Sequence, residues 1–135
     1  MGRRRRQGDE GLTGVLLIDK PVGPSSREVL DDVCRKLGLG ASGHCGTLDP
    51  LASGLIVIAV GGATRLQELL MGHDKAYEGE IVLGASSATD DSEGAIQYTV
   101  PSPPRPSAEE LEHVLQGFLG PIKQKPPAYS AIRVD

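Results

Sequence analysis

At 135 residues, 39% hydrophobic and 24% charged, the chain has the size and balance of one globular domain and not of a disordered segment. No apolar run reaches membrane-spanning length, which excludes a transmembrane helix as a reading of this sequence. The net charge is −4, and without the arginines at 3–6 it is 14 − 4 = 10 basic against 18 acidic residues, or −8, so a nucleic-acid partner has to be met by local basic patches and not by a global field.

Residues 1–13 begin with a basic run and lack an apolar signal segment. They are expected to be a basic disordered tail, with the protein cytoplasmic. Val15, Leu16, Leu17 and Ile18 then form a strand that ends at Asp19-Lys20-Pro21. Ser25 and Glu28 make a capping box. The helix it opens carries Val29, Leu30, Val33, Cys34 and Leu37 on one face, and Gly38 and Gly40 end it. Residues 43–55 read as a loop and 55–60 as a strand. Residues 63–71 read as a helix with Leu66, Leu69 and Leu70 at helical spacing, closed by Gly72. Alternation from Tyr77 to Leu83 predicts a half-buried strand, and residues 95–100 its hairpin partner. After the proline-rich 101–106, Ser107 and Glu110 form a second capping box. Leu111, Val114, Leu115, Phe118 and Leu119 stripe its helix, which Gly120 closes, and residues 129–134 start another strand. Strands and helices in this order predict an α+β (mixed α/β) fold, a sheet with helices packed on it.

The loop at 43–55, GHCGTLDPLASGL, holds the residues most suited to chemistry. Gly43, Gly46 and Gly54 permit sharp turns or close approach to a ligand. His44, Cys45 and Thr47 precede Asp49, and Pro50 biases Asp49 toward an extended conformation. An acid on a stiff loop beside an apolar strand suits a catalytic group. Asp-Pro near glycine is equally ordinary turn chemistry. A zinc site from Cys34, Cys45, His44 and His73 is set aside, because the close cysteine pairs of structural zinc sites are missing from the sequence.

Six segments in order, GVLLIDKP (14–21), GHCGTLDPLASGL (43–55), ATRL (63–66), DKAYEGEIVLG (74–84), ATDDSEG (88–94) and PPAYSAIRVD (126–135), resemble the bacterial tRNA pseudouridine-55 synthases, the TruB family. The central loop is also shared by that family's guide-RNA-dependent relatives. The resemblance implies a pseudouridine-synthase-type, largely antiparallel sheet with flanking helices. It implies an isomerase that converts uridine 55 in the T-loop of tRNA to pseudouridine, with no cofactor and no metal. The base must leave the RNA stack to be reached.

By the same resemblance Asp49 is the catalytic aspartate, acting covalently on ribose or base or by removing a sugar proton. Tyr77 stacks on the flipped base, and His44, with Gly46, Thr47 and Leu48, contacts the RNA near it. Lys20 and Pro21 support the active-site loop. Lys123, Lys125 and Arg133 are candidate phosphate contacts. The partner implied is the T-stem-loop of tRNA, bound by a monomer away from any membrane. Family members are longer, so residues 14–135 are expected to be the N-terminal part of the catalytic domain. Its second half, with an arginine that pairs with the aspartate, and a C-terminal RNA-binding domain are expected to follow. The alternatives are a truncated, non-catalytic RNA-binding or tRNA-folding module and a guide-RNA-dependent pseudouridine synthase relative.

Overall fold

The computed structural model describes residues 12–123. The arginine run, Lys125, Arg133, and the expected strand at 129–134 lie outside the described residues. The chain divides into two compact units between Tyr77 and Glu78, and each is described by itself.

The first unit is a three-stranded antiparallel sheet in the order β1-β3-β2, with β1 Gly14–Lys20, β2 Ser42–His44 and β3 Gly54–Val60. Strand β1 alternates because its side chains leave the pleat on opposite faces. Leu16, Ile18 and Lys20 point to one face, opposite Ile58, Ile56 and Gly54 of β3. Helix α1, Ser26–Leu37, covers this face. Leu30, Ile58 and Val60 form its buried centre, ringed by Leu16, Ile18, Val33, Cys34 and Leu39. Ser25 and Glu28 form the expected capping box, and Gly38 ends the helix in the left-handed conformation, φ 63°.

The opposite face is covered over one half only. Cys45, Ala59 and Ala63 pack there with Val57 and Leu70. They lie under a 3-10 turn, Gly61–Leu66, and the short helix α2, Gln67–Met71. Val15, Leu17 and Leu55, on the other half, are exposed.

The helix expected at 63–71 therefore begins as a tighter 3-10 segment. Its first residue, Gly61, is required to be glycine. Its φ is +58°, and a Cβ there would stand 2.3 Å from the Leu12 carbonyl oxygen. The Thr64 hydroxyl then donates to the Gly61 carbonyl at 2.7 Å. The loop expected at 43–55 is shorter than the sequence implied, because His44 and Gly43 pair with Ile58 and Ala59 as part of β2.

The second unit has a small hairpin, β4 Ala85–Ser86 with β5 Gln97–Tyr98, and helix α3, Ala108–Gln116. The expected strand from Tyr77 to Leu83 is irregular instead, with Ile81 83% exposed. Alternation prepares a strand, but a neighbouring backbone completes it, and residues 77–83 are paired in no described sheet. The second capping box is present, Ser107 N–H donating to Glu110 at 2.7 Å. Helix α3 ends at Gly117 rather than Gly120, because the chain tightens there: Gly117 and Phe118 donate to the carbonyls three residues back. Strands antiparallel in both sheets, with helices packed on one of them, match the mixed architecture expected from sequence.

Candidate active site

One end of the first sheet brings together two stretches distant in sequence, residues 20–26 and the loop that ends at Gly54. Strand β1 ends at Lys20, directly opposite Gly54, where the loop returns into β3. The β1–α1 turn and the start of α1 lie at this same end. As a result the loop at 45–53 is fastened to residues 20–26 by backbone and side-chain hydrogen bonds.

Lys20 has no solvent exposure at all. A buried lysine is costly unless its donors are matched, and here the partners are loop carbonyls. Lys20 Nζ donates to Ala52 O at 2.6 Å, to Pro21 O at 3.0 Å and, in a longer contact, to Pro50 O at 3.5 Å. Gly23 N–H donates to the same Pro50 carbonyl at 2.8 Å. Pro21 itself is exposed and contributes its carbonyl. These contacts fix the chain just after Asp49.

The chain just before Asp49 is fixed by Ser26. Its side chain is 2% exposed. The hydroxyl donates to Leu48 O and accepts from Leu48 N–H, both at 2.8 Å. Asp49 sits between these two anchors. It opens a turn in which Ala52 N–H donates to Asp49 O at 3.1 Å, with Pro50 next in sequence. Proline pre-sets the φ that this second turn position needs. The Asp49 side chain is exposed, so its carboxylate faces solvent from a backbone held on both sides.

Two of the three loop glycines are required by conformation. Gly46 has φ +120° and Gly54 φ +126°, values that side chains rarely tolerate. Gly43 serves another need: a Cβ there would stand 3.1 Å from Gln67 Oε1. Gln67 Nε2 donates to His44 O at 2.8 Å, tying α2 to the end of β2.

His44 is half-buried, and its Nδ1 lies 2.8 Å from Gly46 O. A carbonyl only accepts, so Nδ1 carries the hydrogen and Nε2 is the nitrogen left for a ligand. Thr47 is exposed. Leu48 has both main-chain groups taken by Ser26, which leaves its half-buried side chain for other contacts.

Thus Lys20, Pro21, Leu48 and Asp49 are gathered at one end of the sheet, while His44, bonded to Gly46, pairs with Ile58 further along β3. Tyr77 is the last residue of the first unit, in irregular chain and 75% exposed. Lys123 is exposed at the end of the described residues.

Sequence reasoning missed Ser26, Gly23 and Gln67. Ser26 is the informative omission. It stands beside the capping serine and three, four and seven residues before Val29, Leu30 and Val33, so helical spacing already set it on the buried face of α1; its partner, Leu48, had no sequence mark. Among the described residues no group of three or more His, Cys, Asp or Glu side chains is placed to hold a metal ion. No helix among them is long and apolar enough to cross a membrane.

The chain was compared with known proteins. The family model described as TruB family pseudouridylate synthase (N terminal domain) matches residues 35–135, which include Asp49. A tRNA pseudouridine synthase B of Opitutus terrae is 44% identical over 92% of this chain and 51% of its own length. One from Roseobacter denitrificans is 43% identical over the whole chain and 43% of its own length. The chain therefore spans about half the length of the curated relatives it matches, or less. Among solved structures, a chain of a Cbf5-Nop10-Gar1 complex is 27% identical, with a TM-score of 0.59 over 89% of this chain and 31% of that one. An ordered match over most of the sequence, on a mixed helix and antiparallel-sheet fold shared with that solved structure, places this chain in the TruB family of pseudouridylate synthases.

Proposed function

We propose that this chain is the N-terminal part of the catalytic domain of a tRNA pseudouridine synthase that isomerises uridine 55 in the T-loop. The observation that carries the reading is Asp49: an exposed carboxylate on a backbone anchored on both sides by buried groups, within the stretch that matches the family. The reaction breaks the bond from N1 to C1′ and joins C5 to C1′. A proton leaves C5 and one is gained at N1, so the change balances without a cofactor. A held carboxylate meets the need for a group that acts at the reacting nucleotide and does not wander.

A uridine in a stacked loop has to be extruded to meet Asp49. His44, with Nε2 left over from its bond to Gly46, and exposed Thr47 are the groups beside Asp49 in the loop that receive the RNA. Tyr77 supplies the stacking surface for the flipped base, its exposed ring compatible with that role. Lys20 and Pro21 act on the backbone of the loop and not on the substrate. The protein works as a cytoplasmic monomer. Relatives 43–44% identical and named tRNA pseudouridine synthase B support an enzyme that acts on tRNA.

The test uses the complete protein and a T-stem-loop RNA carrying tritium at C5 of its uridines. Release of tritium to water with formation of pseudouridine at the loop position, without added guide RNA, is expected. Binding of the RNA with no tritium release would instead identify a non-catalytic RNA-binding module.

A further inference from the structure

The serine pair at 25–26 divides two tasks. Ser25 caps α1 and lies with Glu28 at the surface. Ser26, the next residue, is turned into the protein and is 2% exposed. Its hydroxyl meets both main-chain groups of Leu48, which is 22 residues away in sequence and immediately precedes Asp49.

Leu48 is in no strand, so no sheet ladder can satisfy its N–H and C=O. One hydroxyl serves both, as a donor to the carbonyl and an acceptor from the amide. A peptide segment gripped at two points of one residue has little freedom to rotate. The Leu48 carbonyl belongs to the peptide plane that leads into Asp49, so its direction sets the direction in which the Asp49 side chain leaves the loop. Lys20 and Gly23 fix the following segment at Pro50 and Ala52. Without Ser26 both main-chain groups of Leu48 lose their partner, and the nearest hold before Asp49 falls back to Gly46 and Cys45.

We propose that Ser26 is a positioning residue for Asp49, acting through the Leu48 peptide groups and touching no substrate. The proposal rests on the reading of Asp49 as the catalytic carboxylate.

Three variants of the complete protein test it: Ser26→Ala, Ser26→Cys, which nearly keeps the volume but bonds weakly, and Ser26→Thr, which keeps the hydroxyl. Single-turnover tritium release and T-stem-loop affinity are measured for each, with the folded fraction taken from circular dichroism. Small misplacements of a reacting group cost up to about 100-fold in rate. Expected is a single-turnover rate down about 10- to 100-fold in Ser26→Ala and Ser26→Cys. RNA affinity stays within about twofold, and Ser26→Thr recovers most of the rate.

A folded Ser26→Ala or Ser26→Cys at the wild-type rate overturns the proposal. So does a rate loss that only follows the unfolded fraction. If Ser26→Ala does not fold, Ser26→Cys decides by the same readings. An Asp49→Asn control separates the two claims. Activity surviving in Asp49→Asn removes the catalytic reading, whereas an inactive Asp49→Asn beside a fully active Ser26→Cys removes the role of Ser26 alone.

Discussion

At the residue scale, the candidate site is an exposed acid between buried anchors. Asp49→Asn keeps shape and loses the carboxylate. It is expected to lower pseudouridine formation by at least about 1,000-fold while RNA binding, read by filter retention, persists. Lys20 acts differently. Its three carbonyl partners use the three N–H donors of an ammonium group. Lys20→Met fills the same space and strands the Ala52 and Pro21 carbonyls, while Pro50 O keeps its bond from Gly23 N–H. It is expected to destabilise the protein by about 2–3 kcal/mol, seen as a lower urea midpoint. Of these residues, Asp49 and Lys20 were legible in the sequence as members of ordered segments. Ser26 was not. A serine at a helix start is ordinary, and only the fold brings it to Leu48.

At the element scale, helix α1 and the loop respond to different chemistry. The Glu28 carboxyl is held below the ordinary glutamate value, first by the Ser25 backbone N–H and then by the Ser25 hydroxyl. Glu110 is held down in the same way by Ser107. A depressed folded value means that the charged form favours folding. The contribution is complete above the ordinary value of 4.5 and fades as pH falls through the lower folded value. Melting temperature is therefore expected to drop below about pH 4.5, and Ser25→Ala should shrink that part of the drop in a pH series of melts. Both capping boxes were readable from sequence, because a cap is a local matter of residues three apart.

The loop glycines separate in the same experiment. Gly54→Ala forces a side chain onto φ +126° and is expected to cost at least about 1 kcal/mol. Gly43→Ala presses on the side-chain end of Gln67, 3.1 Å away, which gives by loosening its bond to His44 O, and should cost less. Similar melting points for the two variants would contradict this account. Sequence marked all three glycines as special and could not say which need a positive φ.

At the scale of the whole molecule, the open half of the first sheet is one exposed apolar surface, and the stripe of α3, with Val114 and Leu115 exposed, is another. Val15, Leu17 and Leu55 lie exposed on the face away from α1, with Leu17 at 68%. The 135-residue polypeptide alone is expected to bind the dye ANS at this face. Leu17→Lys should weaken dye binding with little change in melting temperature, because Leu17 loses little exposed area by folding. The sequence by itself determined the mixed α+β class, both capped helices, the long strands and the identity of the Asp49 loop, since these depend on local periodicity, caps and ordered segments. It misplaced the strand at 77–83, because the sequence shows alternation but not the neighbour that a strand requires. Only the tertiary structure decided which carbonyls Lys20, already expected to support the loop, takes after Asp49, and that Ser26 holds the side before it. Those contacts join residues 22 to 32 positions apart, and no local rule links a lysine at a strand end and a serine at a helix start to the carbonyls of one distant turn.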